Sequence, residues 1–249
     1  MATKLRRAKF ESVSVVLLGA FPPDRFMPDA LADAKVISRK DAKSAVLKTL
    51  IQGNAVQFQL SWGEFLCTDD RFQVTASEAP YVRACDFVLN ALNDLPGKSI
   101  VRAFGINVES HFDMGSIQAR DALGVRVAPI APWGNWGEEI QKSMTGPNEL
   151  HGGVMALQIR KPFSEGNVVG WLDVTVAPSA RVKENQGILI RTNHHHATKP
   201  RSEEVAQPSD LANSAIEKSH LLLKLLSDRF DESVAKAQSI FADVVGGAA

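Results

Sequence analysis

The chain has 249 residues, 45% of them hydrophobic and 22% charged, and its formal net charge at pH 7 is zero. This composition is typical of a globular protein, and the balanced charge argues against a uniformly basic nucleic-acid-binding surface. No apolar run approaches the ~20 residues that span a bilayer, and no apolar leader segment follows the basic N-terminus, so we expect a cytoplasmic protein with no membrane partner. Two cysteines, Cys67 and Cys85, are too few for a disulfide framework or a zinc ribbon.

The first half of the chain predicts strands that are interrupted by helices. Val56, Phe58 and Leu60 alternate with glutamines, which is the pattern of a strand with one wet face. Residues 78–95 carry apolar side chains at helical spacing, which predicts a helix that covers a sheet. The predicted helices of this half are 24–34 and 78–95, and the predicted strands are 10–20, 45–51, 55–62, 63–68, 71–76 and 99–112.

The segment 99–112 is the best strand candidate, and it also carries side chains capable of chemistry. Because side chains alternate across a strand, Asn107, Glu109 and His111 share one face. These three residues are a candidate polar site. The alternative is that a central strand becomes polar where it leaves the core, with Asn107 bracing the neighbouring backbone.

Residues 113–150 are rich in Gly, Pro and polar residues, and they predict a long excursion from the sheet with one helical turn near 117–123. Trp133, Asn135 and Trp136 lie in this excursion. Because tryptophan is enriched at binding hot spots, these three residues are the predicted partner-binding site. The alternative is that both tryptophans fold down over the sheet and join the core.

The second half predicts three further strands, a linker and one long helix. The strands are 153–161, 167–177 and 187–196, and the linker is 198–208. In residues 209–249 apolar side chains recur at steps of mostly three and four, which predicts a helix with a continuous apolar stripe. Such a stripe packs on the sheet of its own chain or pairs with a protein partner, including a second copy.

Together these elements predict an α+β protein with a mostly antiparallel sheet, built in one piece or as two related halves. The sheet domain would span residues 1–197, with the excursion at 113–150. The mid-chain helix and the long C-terminal helix would cover the sheet.

Three consecutive histidines end the last predicted strand. Period two places His194 and His196 on one face, in the His-x-His arrangement that many metal sites use. If this strand is a neighbour of 99–112, Glu109 and His111 would converge with them on one metal ion or act as an acid–base pair. The alternative is a polar strand end that runs into a solvated linker.

Single residues scattered over most of the chain carry a family resemblance. They are Trp62, Asp69, Asp70, Phe72 and Val74, then Pro80-Tyr81 and Ile106-Asn107, and finally His220 and Phe230 in the last helix. With these residues the chain resembles a sporadically distributed bacterial family of about this length, whose members have no settled biochemical function. It departs from the family pattern at Phe104-Gly105, where that family has Arg-Tyr. The resemblance implies no catalytic residues, because none are established for the family.

The leading hypothesis is a non-enzymatic binding or interaction protein that works with a partner protein and uses no cofactor. It rests on the absence of nucleotide-binding, nucleophile-elbow and zinc-protease motifs, on the tryptophans of the excursion and on the apolar terminal helix. One alternative is a metal-dependent enzyme or metal-binding protein that uses His194 and His196. Another is nucleic-acid contact through the basic arm Lys4–Lys9, because the first 50 residues hold ten basic and five acidic residues.

Overall fold

The computed structural model describes residues 7–94, 99–145, 152–199 and 208–246. Within these residues the chain forms a nine-stranded antiparallel sheet with helices, which confirms the predicted α+β class. The predicted linker lies almost wholly outside the described residues, as do Lys4 and Arg6 of the basic arm.

The strands are β1 (Phe10–Ala20), β2 (Val46–Ile51), β3 (Ala55–Leu60), β4 (Gly63–Thr68), β5 (Arg71–Ala76), β6 (Ile100–Asp113), β7 (Leu157–Glu165), β8 (Val168–Pro178) and β9 (Gly187–Thr198). The helices are α1 (Pro28–Asp33), α2 (Arg39–Ser44), α3 (Val82–Asp94), α4 (Ile117–Val127), α5 (Gly134–Ser143) and α6 (Pro208–Gly246). The strand order is β2-β3-β4-β5-β1-β6-β9-β8-β7, and each neighbouring pair is antiparallel. Strands β1 and β6 therefore join the strands of the first half to those of the second.

One face of the sheet is apolar and buried, and the other face is polar. In β1, Val13, Val15 and Leu17 are fully buried. Ser12 and Ser14, which alternate with them, are half-buried. This alternation follows from the period of two along a strand. Helices α3 and α6 pack on the apolar face, where their buried side chains join the same core as those of the strands.

Phenylalanines fill the core beneath the first half of the sheet. Phe65 is fully buried, and its ring centroid lies 4.9 Å from that of Phe58, 5.0 Å from that of Phe72 and 5.3 Å from that of Phe87. Aromatic rings at these separations contribute beyond the area that they bury. The cluster ties β3, β4 and β5 to α3.

The long C-terminal helix α6 places its predicted apolar stripe against the sheet. The buried members of the stripe are Leu222, Leu226, Phe230, Ala237 and Phe241. The Ser219 hydroxyl accepts a hydrogen bond from the Val101 backbone N–H at 3.0 Å, which also fixes α6 to β6. The sheet of the same chain therefore covers these buried members of the stripe.

Three predicted segments differ from the structure. The strand predicted at 153–161 is observed four residues later, as Leu157–Glu165. The helix predicted at 24–34 is split into a short 3₁₀ turn, Pro23–Arg25, and the helix α1, which begins at Pro28, because proline is tolerated only in the first turn of a helix. The excursion 113–150, predicted as mostly loop, contains α4 and α5. Ser116 caps α4 by accepting a hydrogen bond from the Ala119 N–H at 3.1 Å.

No helix of the described residues is long and apolar enough to cross a bilayer.

Replacing Phe65 with Ala removes the centre of the phenylalanine cluster. We expect the free energy of unfolding to fall by about 3–5 kcal/mol, because a buried cavity replaces a fully packed ring. Urea unfolding followed by circular dichroism measures this loss. In the control Leu18→Ala, where the side chain belongs to a residue that is 42% exposed, stability should change by no more than about 0.5 kcal/mol. A loss below about 1 kcal/mol for Phe65→Ala would contradict the packing described.

Candidate functional site

A row of hydrophilic side chains crosses the polar face of the sheet. Directly paired positions from β3 to β7 are Gln59, Glu64, Thr75, Ser14, Asn107, Asn193, Asp173 and Arg160. Paired residues of antiparallel strands have neighbouring side chains on the same face. Eight strands thus contribute one polar side chain each to a continuous surface.

The centre of this row borders a cavity of about 390 Å³ that is lined entirely by strand residues. Asn107 and Asn193 face each other across β6 and β9 in the cavity. A Cβ atom at Gly105 would lie 2.9 Å from Asn193 Oδ1, so the glycine leaves room for that amide. Within the part of the chain that the structure describes, neither amide has a side-chain hydrogen-bond partner, and both residues are partly exposed.

The polar groups on one flank of the cavity are engaged with each other. Arg160 Nε and Nη2 donate to the two carboxylate oxygens of Asp173, each at 2.7 Å. These hydrogen bonds lower the pKa of the Asp173 carboxyl and raise the pKa of Arg160. Asp173 is buried and lines the cavity, whereas Arg160 is largely exposed and lies outside the lining.

A tryptophan stands beside this ion pair. The Trp171 ring stacks on His195 with centroids 4.1 Å apart, and the guanidinium carbon of Arg160 lies 4.4 Å from the Trp171 centroid. Burial lowers the pKa of His195, and the positive charge of Arg160 adds to this effect. The imidazole is therefore neutral at pH 7, and the stack carries no charge besides that of Arg160.

On the other flank, Glu109 and His111 form a hydrogen-bonded chain with a serine. His111 Nδ1 lies 2.7 Å from Ser179 Oγ, and His111 Nε2 lies 3.0 Å from Glu109 Oε1. The Ser179 oxygen also accepts hydrogen bonds from the backbone N–H groups of Arg181 and Val182. Because both of its lone pairs are used, Ser179 donates its own proton to Nδ1, and Nε2–H donates to Glu109.

The geometry of these three residues does not allow the Ser179 hydroxyl to act as a nucleophile. Ser179 and His111 are each only 4% exposed, and the serine oxygen anchors the turn after β8. A substrate would have no access to the oxygen, whereas a nucleophile must reach a reacting atom. The hydrogen bonds from Ser179 through His111 instead hold Glu109 in place at the rim of the cavity.

The predicted pair His194 and His196 lies on the opposite, apolar face of the sheet. His194 Nδ1 is 2.8 Å from Ser233 Oγ of α6, and His196 stacks on Phe104 with centroids 4.5 Å apart. His196 Nδ1 is buried without a hydrogen-bond partner among the described residues. Burial lowers the pKa of both imidazoles, that of His196 to about 4 with a contribution from the neighbouring His194.

The structure places β9 beside β6, as the convergence hypothesis required, but it separates the two residue pairs. Glu109 and His111 pair with Arg191 and Leu189 on the polar side, whereas His194 pairs with Ile106 on the apolar side. The four side chains therefore do not converge on one metal ion. Over the described ranges, no group of three or more His, Cys, Asp or Glu side chains is placed to hold a metal ion.

The two cysteines are unsuited to nucleophilic chemistry. Cys67 and Cys85 are both buried, and burial raises the pKa of each thiol to about 12, with smaller contributions from nearby aspartates. A thiolate is the reactive form of cysteine, so these thiols are unreactive at pH 7.

Trp133 and Trp136 are exposed on the surface. The residues are 61% and 57% exposed, and their rings meet edge to face with centroids 5.3 Å apart. Asn135 is exposed between them, and all three residues lie at the start of α5. The alternative in which the tryptophans join the core is not what the structure shows.

The described end of the basic arm makes one ion pair with the sheet. Lys9 Nζ lies 3.4 Å from an oxygen of Asp113, the last residue of β6. Both side chains are largely solvated, and exposed pairs of this kind contribute little to stability.

No protein-family model matches this chain, and a search of curated proteins also finds no match.

The sequence pattern did not point to most of the cavity. Gln158, Asp173 and Asn193 come from three separate strands, and only the strand order brings them to the cavity beside Asn107. One signal was present, because polar residues recur at every second position from Arg191 through Asn193 to His195. The run of three histidines instead predicted a metal site at His194 and His196, which lie on the apolar side of the same strand.

The pKa of His196 predicts how stability depends on pH. The unfolded chain binds a proton near the ordinary pKa of 6.5, whereas the folded chain does so only near pH 4. Between these values the unfolded state holds more protons, so the free energy of unfolding falls as the pH is lowered. At about 1.4 kcal/mol per pKa unit, His196 should account for a loss of about 3 kcal/mol.

The variant His196→Leu should lose about 3 kcal/mol less than the wild type between pH 6.5 and pH 4 in urea titrations. The exposed His220 provides the control, because His220→Gln should retain the wild-type dependence. Equal pH dependence in His196→Leu and the wild type would contradict the burial of a neutral imidazole.

Proposed function

We propose that this chain is a non-enzymatic binding protein that acts with a partner protein, with Trp133 and Trp136 at the centre of the contact. The observation that carries the proposal is the exposure of both rings at the start of α5. Large exposed aromatic side chains cost solvation free energy, and they are enriched at the hot spots of protein interfaces.

The other tryptophans of the chain are in different surroundings. Trp62 is 9% exposed and packs against Phe87, and Trp171 is stacked between His195 and Arg160. Trp133 and Trp136 contact each other and leave their outer surfaces to solvent. Two rings fixed by mutual contact lose little conformational entropy on binding, which favours affinity.

The charges beside the two rings indicate the chemistry of the partner. Glu138 and Glu139 follow directly in α5, and both are exposed. A partner that fits this surface would offer an apolar pocket with basic residues at its rim, since complementary charges raise the association rate. Association should therefore become slower as the salt concentration increases.

The acid–base groups of the described residues support a binding role over catalysis. His111 hydrogen-bonds to Glu109 and to the buried Ser179, and Asp173 is held by Arg160. These three acid–base groups are engaged in the folded state, and none of them lies beside an accessible nucleophile.

The test is a double substitution of the two tryptophans. Full-length tagged protein is expressed in its source cells, and co-purifying proteins are quantified for the wild type and for Trp133→Ala/Trp136→Ala. A partner should be enriched with the wild type and lost with the variant, and the purified pair should show a dissociation constant raised at least about tenfold. The variant should remain folded, because losing the edge-to-face contact costs only about 0.5–1.5 kcal/mol.

The matched control is Met155→Ala/Ile159→Ala, which removes two other exposed apolar side chains, at residues that are 69% and 61% exposed. It should retain the partner. A partner that binds the tryptophan variant as tightly as the wild type, or the lack of any protein specific to the wild type and the control, would refute the proposal.

A second candidate function is the binding of a small polar ligand in the cavity on the polar face. The observation in its favour is that Asn107 and Asn193 direct unengaged amides to a cavity beside the exposed Arg191. Two amides offer paired donors and acceptors, and a guanidinium matches a carboxylate. The fitting ligand is a small carboxylate that also carries hydroxyl or amide groups.

Thermal unfolding with a panel of sugar acids and short hydroxy-dicarboxylates tests this candidate. At least one compound should raise the melting temperature of the wild type and of Gln59→Ala, which lies on the same face outside the cavity. The same compound should have no effect on Asn107→Ala or Asn193→Ala. Identical shifts in all four proteins, or no shift in any, would reject the cavity as a ligand site.

A further inference from the structure

The two outer strands of the sheet differ in how they meet solvent. β2 and β7 are the edge strands, so each has one side without a strand partner among the described residues. In β2 four large apolar residues are exposed: Val46 at 54%, Leu47 at 47%, Leu50 at 51% and Ile51 at 54%. An apolar edge with unpaired backbone groups is a template for pairing with another strand.

The opposite edge carries protection against such pairing. β7 places Arg160, Lys161 and Pro162 in succession along its length. Charged side chains at an edge oppose association, and proline has no N–H group to donate to a further strand. β7 carries two charged residues and a proline in succession, whereas β2 carries one charged residue, Lys48, between two pairs of exposed apolar residues. β2 is therefore the edge that is more open to pairing.

A bulge determines which side chains of β2 share a face. The register between β2 and β3 shifts between Leu47 and Thr49, so that Lys48 is the extra residue. Because of the shift, Val46, Thr49 and Ile51 pair with odd-numbered residues of β3. Leu47 and Leu50 pair with even-numbered residues of β3. Val46 and Ile51 therefore lie on the same face, which strict alternation over five residues would not allow.

We propose that β2 pairs in antiparallel orientation with β2 of a second copy of this chain, about a two-fold axis between Lys48 and Thr49. Val46 then lies opposite Ile51 of the second copy, and Leu47 lies opposite Leu50. Both residues of each such pair belong to the same face because of the bulge, as an antiparallel ladder requires. The segment Val-Leu-Lys-Thr-Leu-Ile is thus complementary to itself when reversed.

Charge and symmetry favour this register and this occupant. Lys48 meets Thr49 of the second copy, whereas an axis through Lys48 would place two lysines directly opposite each other, which is destabilising. Pairing of β2 with β7 of another copy would be heterologous. Each added copy would leave a further edge free, so the assembly would grow without closing. The β2–β2 contact is closed by a two-fold axis and joins two nine-stranded sheets into one.

The hairpin that presents β2 is held in place within its own chain. The Gly53 backbone N–H at the turn after β2 donates to Asp24 Oδ1 at 2.8 Å, and the Thr49 hydroxyl donates to Gln57 Oε1 at 3.1 Å. An edge that is already ordered loses little conformational entropy when a second strand is added. The pairing does not involve α5, so it is independent of the proposed tryptophan contact.

Sedimentation velocity of the full chain over a wide concentration range tests the pairing. We expect a monomer–dimer equilibrium for the wild type and a dissociation constant raised at least about tenfold in Leu47→Asp/Leu50→Asp, because opposed carboxylates replace the two symmetry-related Leu47–Leu50 pairs. Ile159→Asp on β7 introduces the same residue at a comparably exposed position of the other edge, and it should leave the dimer unchanged.

Several outcomes would overturn the proposal. A wild type that remains monomeric at all concentrations would do so, as would oligomers that grow beyond the dimer. Loss of the dimer in Ile159→Asp with retention in the β2 variant would assign association to the other edge. A wild type that pairs only with an extended segment of a different protein would likewise reject the second copy as the occupant.

Disulfide trapping tests the register even if the aspartate variant folds poorly. The double variant Val46→Cys/Ile51→Cys should form covalent dimers on mild oxidation, and Val46→Cys alone should not. The native Cys67 and Cys85 are buried and do not interfere. Equal trapping in the single variant, or no trapping in the double variant, would reject the axis between Lys48 and Thr49.

Discussion

β1 and β6 pair along almost their whole lengths in the middle of the sheet, and this pairing joins the strands of the first half to those of the second. Both strands are apolar on one side and polar on the other. The apolar sides give α3 and α6 a common surface to cover, and the polar sides bring Ser14 and Asn107 together at the cavity. Without this pair, neither the core nor the polar face would be continuous.

The two faces impose different conditions on the polar side chains they carry. On the apolar face, His194 is bonded to Ser233, and burial keeps His196 neutral. A charged imidazole at that position would have to give up its hydration without a counter-ion. On the polar face, water can satisfy the amides of Asn107 and Asn193, so they can remain without protein partners.

Two groups of exposed apolar side chains lie on different elements of the described structure. One is the Trp133–Trp136 pair at the start of α5, and the other is the set of apolar side chains on the edge strand β2. A tryptophan pair on a helix suits a pocket in a different protein, whereas an open strand edge suits another strand. The two surfaces differ in chemistry, and they can be occupied at the same time if they serve different partners.

Local patterns in the sequence were sufficient to identify most strands and the two long helices. Alternation in β3 and β6 and the apolar stripe of α6 each report which side of an element is buried, because burial follows the backbone period. The glycines and prolines of the excursion 113–150 predict a loop, and this prediction is wrong for α4 and α5. Ser116 in fact caps α4, and Gly134 has a positive φ of 56° at the start of α5. A single residue type does not separate a turn from a helix boundary.

The sequence by itself determined that Asn107, Glu109 and His111 share a face, that His194 and His196 share a face, and that the terminal helix is amphipathic. Only the tertiary structure decided that these two sets lie on opposite sides of the sheet, and that Arg160, Asp173 and Asn193 join the first set. The physical reason is that period two relates residues within one strand, whereas the relation between strands depends on their order and register. Both are set by long-range packing of the core, which no local pattern encodes.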